Sequence, residues 1–113
     1  MAASSFAETT IGLTAVGAIA QFQPIQASGS PAVAAGNAVG FTTLAAASGV
    51  RVPVVVLGSV IAIAGAAIVL GAAVEVHTTV TQVVTKAAGV AIGRALTAAA
   101  AAGDQVEVLL LSN

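Results

Sequence analysis

Residues 51–75 read RVPVVVLGSVIAIAGAAIVLGAAVE, and the reading of this stretch decides the fold. No residue between Arg51 and Glu75 is charged, and the run is long enough to span a bilayer as a helix. Its internal pattern argues for strands instead. Val52, Val54 and Val56 alternate, Val60-Ile61-Ala62-Ile63-Ala64 reads as a short strand, and Pro53, Gly58, Gly65 and Gly71 punctuate the run. The chain has no Trp or Tyr for a membrane interface and no Lys/Arg cluster to mark a cytoplasmic side. Buried strands are expected here, with turns near Gly58 and Gly65. A small integral membrane protein with a transmembrane segment around 52–74 is the alternative.

A short phrase, Gly-x-x-Val-x-(Val/Phe), runs through this stretch and beyond it. It occurs at Gly36 (Val39, Phe41), Gly49 (Val52, Val54), Gly71 (Val74, Val76) and Gly103 (Val106, Val108). Each copy reads as a turn glycine feeding a strand whose alternate side chains share one sheet face. Two of the copies match over a longer span. Val39-Gly-Phe-Thr-Thr-Leu through Val54 parallels Ile92-Gly-Arg-Ala-Leu-Thr through Val108 with one inserted residue. Equivalent strands of a barrel or sandwich explain the echo.

The expected fold is mainly β: a small β-barrel or β-sandwich-like domain of repeated turn-strand units. Residues 1–10 are small and polar and read as a flexible N-terminal arm, with one β-rich domain over residues 11–113. Ile11 to Ile25 suggests an irregular strand with a bulge, and Val74 to Val84 the clearest amphipathic strand. Its parities place Glu75, His77, Thr79 and Thr81 together, towards water or a partner. Residues 94–102 carry the highest helix propensity and are open between a short helix and an extended arm with a turn. Val106 to Leu111 closes the chain as a strand.

Composition narrows the function. Of 113 residues 58% are apolar but only 6% charged, far below what a soluble monomer of this size shows, so much of the surface needs cover. With three Lys and Arg and a net charge of −1, there is no basic stripe for DNA or RNA. The absence of cysteine excludes disulfides and thiolate metal sites. The segment from Met1 to Glu8 lacks the basic and apolar regions of a secretory signal, so cytoplasmic synthesis is expected.

Reactive constellations are thin. Glu75 and His77 fall short of the three or four ligands of a metal site and read as a polar strand face. Asp104 after Gly103 reads as turn chemistry. Ser4, Ser5 and Ser59 lack a base partner, and no Gly-Lys-Ser/Thr phrase follows any glycine. No catalytic residue, metal or cofactor is expected. Arg51, Arg94 and Glu75 are candidate oligomer or lattice contacts.

The C-terminal phrase carries a resemblance. Ile92-Gly93-Arg94-Ala95-Leu96, Ala99 to Gly103-Asp104, then Val106, Val108 and Leu110 resemble the "vG-x-A-L-x-A-A-A-A-G-D-x-V-x-V-x-L" phrase of small Ala/Gly/Val-rich phage head proteins. These are the decoration, or cement, proteins of tailed bacteriophages. The match at Gly40 to Val54 is looser, and the first thirty residues match in composition only. The resemblance implies a non-enzymatic β-rich virion protein on the outer surface of the capsid, at junctions between major capsid subunits. It further implies a homo-oligomer, a trimer being favoured, with neither nucleic acid nor membrane as partner. The N-terminal arm, Ala2, Ala3, Ser4, Ser5, Phe6, Ala7, Glu8, Thr9 and Thr10, is the candidate capsid contact, free to add a strand to a neighbour's sheet. Another virion component, such as a tail or fibre-base protein, is the second alternative.

Overall fold

The computed structural model describes residues 6–110. Eight strands form one antiparallel sheet: β1 (Phe6–Thr14), β2 (Pro24–Ile25), β3 (Gly40–Thr42), β4 (Arg51–Ile63), β5 (Ala73–Val76), β6 (Val83–Thr85), β7 (Gly93–Ala95) and β8 (Gln105–Leu110). Their order is β2-β3-β4-β8-β7-β5-β6, with β1 added on β4. No helix occurs among the described residues, and residues 94–102 take the extended arm and turn. The transmembrane helix around 52–74 does not form: that stretch holds β4, a bridge from Ile68 to Ala99 and the start of β5. No described helix is long and apolar enough to cross a membrane.

β4 organises the sheet. Val54 faces Ile11 of β1 on one edge and Thr42 of β3 on the other, while Ser59 faces Phe6 on one edge and Leu109 of β8 on the other. β1 therefore runs along one edge of β4, and β3 and β8 follow each other along the second. This explains why Gly58 does not turn the chain as expected. Turning there would break ladders on both edges. Gly58 instead takes φ +104° beside the register shift between Ala7 and Thr9, and the bulge absorbs it within a 13-residue strand.

The register also reveals a tandem duplication. In the first unit Ile11 pairs Val54, Thr14 pairs Arg51, Phe41 pairs Val55 and Ile25 pairs Gly40. In the second, Val60 pairs Val108, Ile63 pairs Gln105, Arg94 pairs Leu109 and Val74 pairs Gly93. The irregular links repeat as well: Ile19 exchanges both backbone hydrogen bonds with Ala46, as Ile68 does with Ala99. Gly49 donates to the Ala15 carbonyl as Gly103 does to that of Ala64, and both glycines hold φ near +90° in a turn that an L side chain rarely adopts. The echo between Val39–Val54 and Ile92–Val108 is thus the second half of a repeated unit. β4 belongs to both, closing the first unit with its N-terminal half and opening the second with its C-terminal half.

Each unit has its own apolar interior. Ala15, Ile19, Ile25, Val52 and Val54 fill the first, and the equivalent Ala64, Ile68, Val74, Val106 and Val108 lie in the second. The second cluster also takes in Ala32, Ala38, Phe41 and Val55 from the first unit, so one unit packs on the other. Polar groups left inside are paired. Thr42 Oγ1 accepts from the Gln23 amide and donates to the Ala20 carbonyl, and Gln23 Oε1 accepts from the Ala20 amide.

Val74 to Val84 is a hairpin rather than one strand. β5 ends at Val76, the His77 amide bonds the Gln82 carbonyl, and β6 returns from Val83. Across it the two parities meet: Val76 pairs Val83, and Val84 pairs Glu75.

Candidate interaction surface

Strand alternation builds the surface. On β8, Val106 and Val108 point into the core, which turns Glu107 and Leu109 outward. On β7, Gly93 and Ala95 are buried and Arg94 is exposed, with exposed Leu96 just beyond. Leu57, Gly58 and Ser59 of β4, Leu96, and Glu107, Leu109 and Leu110 of β8 line a shallow groove of about 420 Å³. Ser59 Oγ donates to Glu107 Oε2 at 2.8 Å, which holds the one carboxylate of the groove against its floor. Leu57, Leu96 and Leu109 stay substantially exposed. Such a groove offers apolar burial, worth about 25 cal/mol per Å², and suits another protein surface.

The start of β1 runs beside this groove, since Phe6 is opposite Ser59 and Thr9 opposite Leu57. Ala2, Ala3, Ser4 and Ser5 lie outside the described residues. Phe6, Ala7 and Glu8 have strand backbone, and Thr9 and Thr10 are exposed on the same strand.

The other candidates separate. Arg51 is exposed at the start of β4, its guanidinium lying over Gly12 of β1. Arg94 is exposed on β7 and Nη1 donates to the Gly71 carbonyl at 2.8 Å. Although they belong to equivalent units, they are not equivalent positions: Arg51 matches Gln105, and Arg94 matches Phe41.

Glu75 corrects the expectation of an exposed strand face. It is buried, and its Oε1 accepts hydrogen bonds from the amides of Ala87 and Gly89, closing the loop between β6 and β7.

His77 is half-buried with its ring against Gly65, and Nδ1 accepts from the Thr79 amide at 3.1 Å. Asp104 Oδ2 accepts from the amides of Ala100 and Ala101, which is turn chemistry. Among the described residues no three His, Asp or Glu gather as metal ligands.

Leu57, Leu96 and Leu109 were not singled out by sequence pattern. A signal for two of them exists: Val52 to Leu57 and, apart from Glu107, Val106 to Leu111 are apolar on both parities, so each stretch needs cover on two sides. The core covers one. Other large apolar side chains, among them Val16, Val33, Leu44, Val69 and Leu70, also face out.

Fold and surface together define an all-β protein that presents exposed apolar side chains and a groove. The chain belongs to the phage cement protein family, whose model matches residues 5–110. It is a structural component of a phage virion. In fold it is similar to the head fiber gp8.5 N base of bacteriophage phi29, with a TM-score of 0.73 at 15% identity, over 91% of this chain and 93% of that one. No curated protein matches the chain.

Proposed function

We propose that this protein binds the outer surface of a tailed-phage capsid and stabilises it by cross-linking adjacent major capsid subunits. It acts as a homo-oligomer, with a trimer favoured, and its role is structural rather than catalytic. Residues Ala2 to Thr10 make the capsid contact, and Arg51 and Arg94 serve as lattice contacts. The observation that carries this reading is membership of the cement family over nearly the whole chain. The surface supports it: a low charge content and an apolar exterior suit a protein that is covered on assembly. The scarcity of Lys and Arg suits a position away from packaged DNA.

Co-sedimentation with heads lacking the protein tests this. Saturable binding, together with DNA release at a higher temperature in decorated heads, is the expected result. A second reading, the base of a head fibre, is favoured by the fold shared with the phi29 head fiber base. On that reading heads bind the chain without gaining resistance to heat.

A further inference from the structure

The two units match in pairing but not in burial, and the mismatches fall at their two ends. Val55 and Leu109 hold equivalent places, one opposite Phe41 and the other opposite Arg94. Val55 is 1% exposed and Leu109 41%. The second unit covers Val55 and Phe41, because both join the cluster that contains Val60, Val76, Val83 and Val108. Among the described residues no third unit covers Leu109 in the same way.

The opposite end shows the converse. Ile11 and Val60 hold equivalent places, opposite Val54 and Val108. Val60 is 2% exposed, in the cluster shared with the first unit, whereas Ile11 is 37% exposed. The first unit thus bares the face that receives a preceding unit, and the second bares the face that packs on a following one.

We propose that the groove of Leu57, Leu96 and Leu109 receives the Ile11 face of β1 from a second copy of this chain. The contact repeats between chains what the two units do within one. Its two surfaces differ, so copies join head to tail, and the series either closes into a ring or grows open. The inference deepens the self-association part of the reading above, and its test needs no capsid, so failure to bind heads leaves it standing.

The chain has no cysteine, so introduced ones report cleanly. Ile11→Cys mixed with Leu109→Cys should give a disulfide dimer on oxidation, neither variant should cross-link with itself, and the double variant should give higher species. In sedimentation, the wild type should run as an oligomer. Leu109→Glu and Ile11→Glu should each reduce it to the mass of one chain while the β circular-dichroism spectrum persists. Self-cross-linking of Leu109→Cys, a monomeric wild type, or folded Glu variants that keep the oligomer would each overturn the proposal. The Cys variants, which disturb the fold least, decide the matter if the Glu variants unfold.

Discussion

Gly40 and Gly93 stand at one position of two successive strand units, and at both the partner strand occupies the space a Cβ would need. A Cβ at Gly93 would fall 2.8 Å from the Leu109 carbonyl oxygen, and one at Gly40 would strike that of Val55. At Gly93 the buried Val108 side chain also stands in the way, and at both positions the backbone oxygen cannot yield. Ala at either position should therefore lower stability by about 1–3 kcal/mol. Urea unfolding reads the change, and an unmoved midpoint would mean that the strands separate freely there.

Phe41 and Arg94 test how far the units depend on each other. Phe41 is fully buried where the first unit packs on the second, so Phe41→Ala should lose about 3–5 kcal/mol. Arg94, its equivalent, is exposed, and Arg94→Ala should stay within about 0.5 kcal/mol in the isolated chain. Thermal denaturation of both variants gives the comparison; similar losses would contradict the assigned packing.

Glu75 should behave as a structural acceptor. Glu75→Ala strands the amides of Ala87 and Gly89 and is expected to lose about 1–3 kcal/mol, with faster hydrogen exchange at those two amides. Glu75→Gln keeps an oxygen acceptor and should lose less. Normal protection in the Ala variant would mean that the loop is held by other contacts.

The N-terminal segment divides into two tests. Removing residues 2–5 should weaken head binding while leaving the melting temperature unchanged. Removing 2–10 also takes Phe6–Thr10 out of β1 and should lower both. Full head binding after the shorter deletion would take residues 2–5 out of the capsid contact.

Some of this architecture is legible in the sequence. Val52 and Val54, Val74 and Val76, and Val106 and Val108 sit on strands as their alternation requires. The repeat shows wherever its halves keep residue type, as at Gly40 and Gly93, Ala46 and Ala99, and Gly49 and Gly103. Its first half is hidden because Pro24-Ile25 stands where the second unit has Ala73-Val74. The left-handed position held by Gly71 at φ +86° is held in the first unit by Phe22 at φ +60°. Glu75 illustrates a different limit: parity states which residues share a face, not that a loop twelve residues on will fold over that face. The groove is least legible, since the pattern says that Leu57 and Leu109 need cover but not that they meet Leu96 in one groove.

The most direct test of the central claim is electron cryo-microscopy of heads that lack this protein after mixing with the purified chain. The account predicts ordered density at symmetry-related positions on the outer surface, each bridging adjacent major capsid subunits. Bare heads, or density confined to one vertex or to the tail, would contradict it.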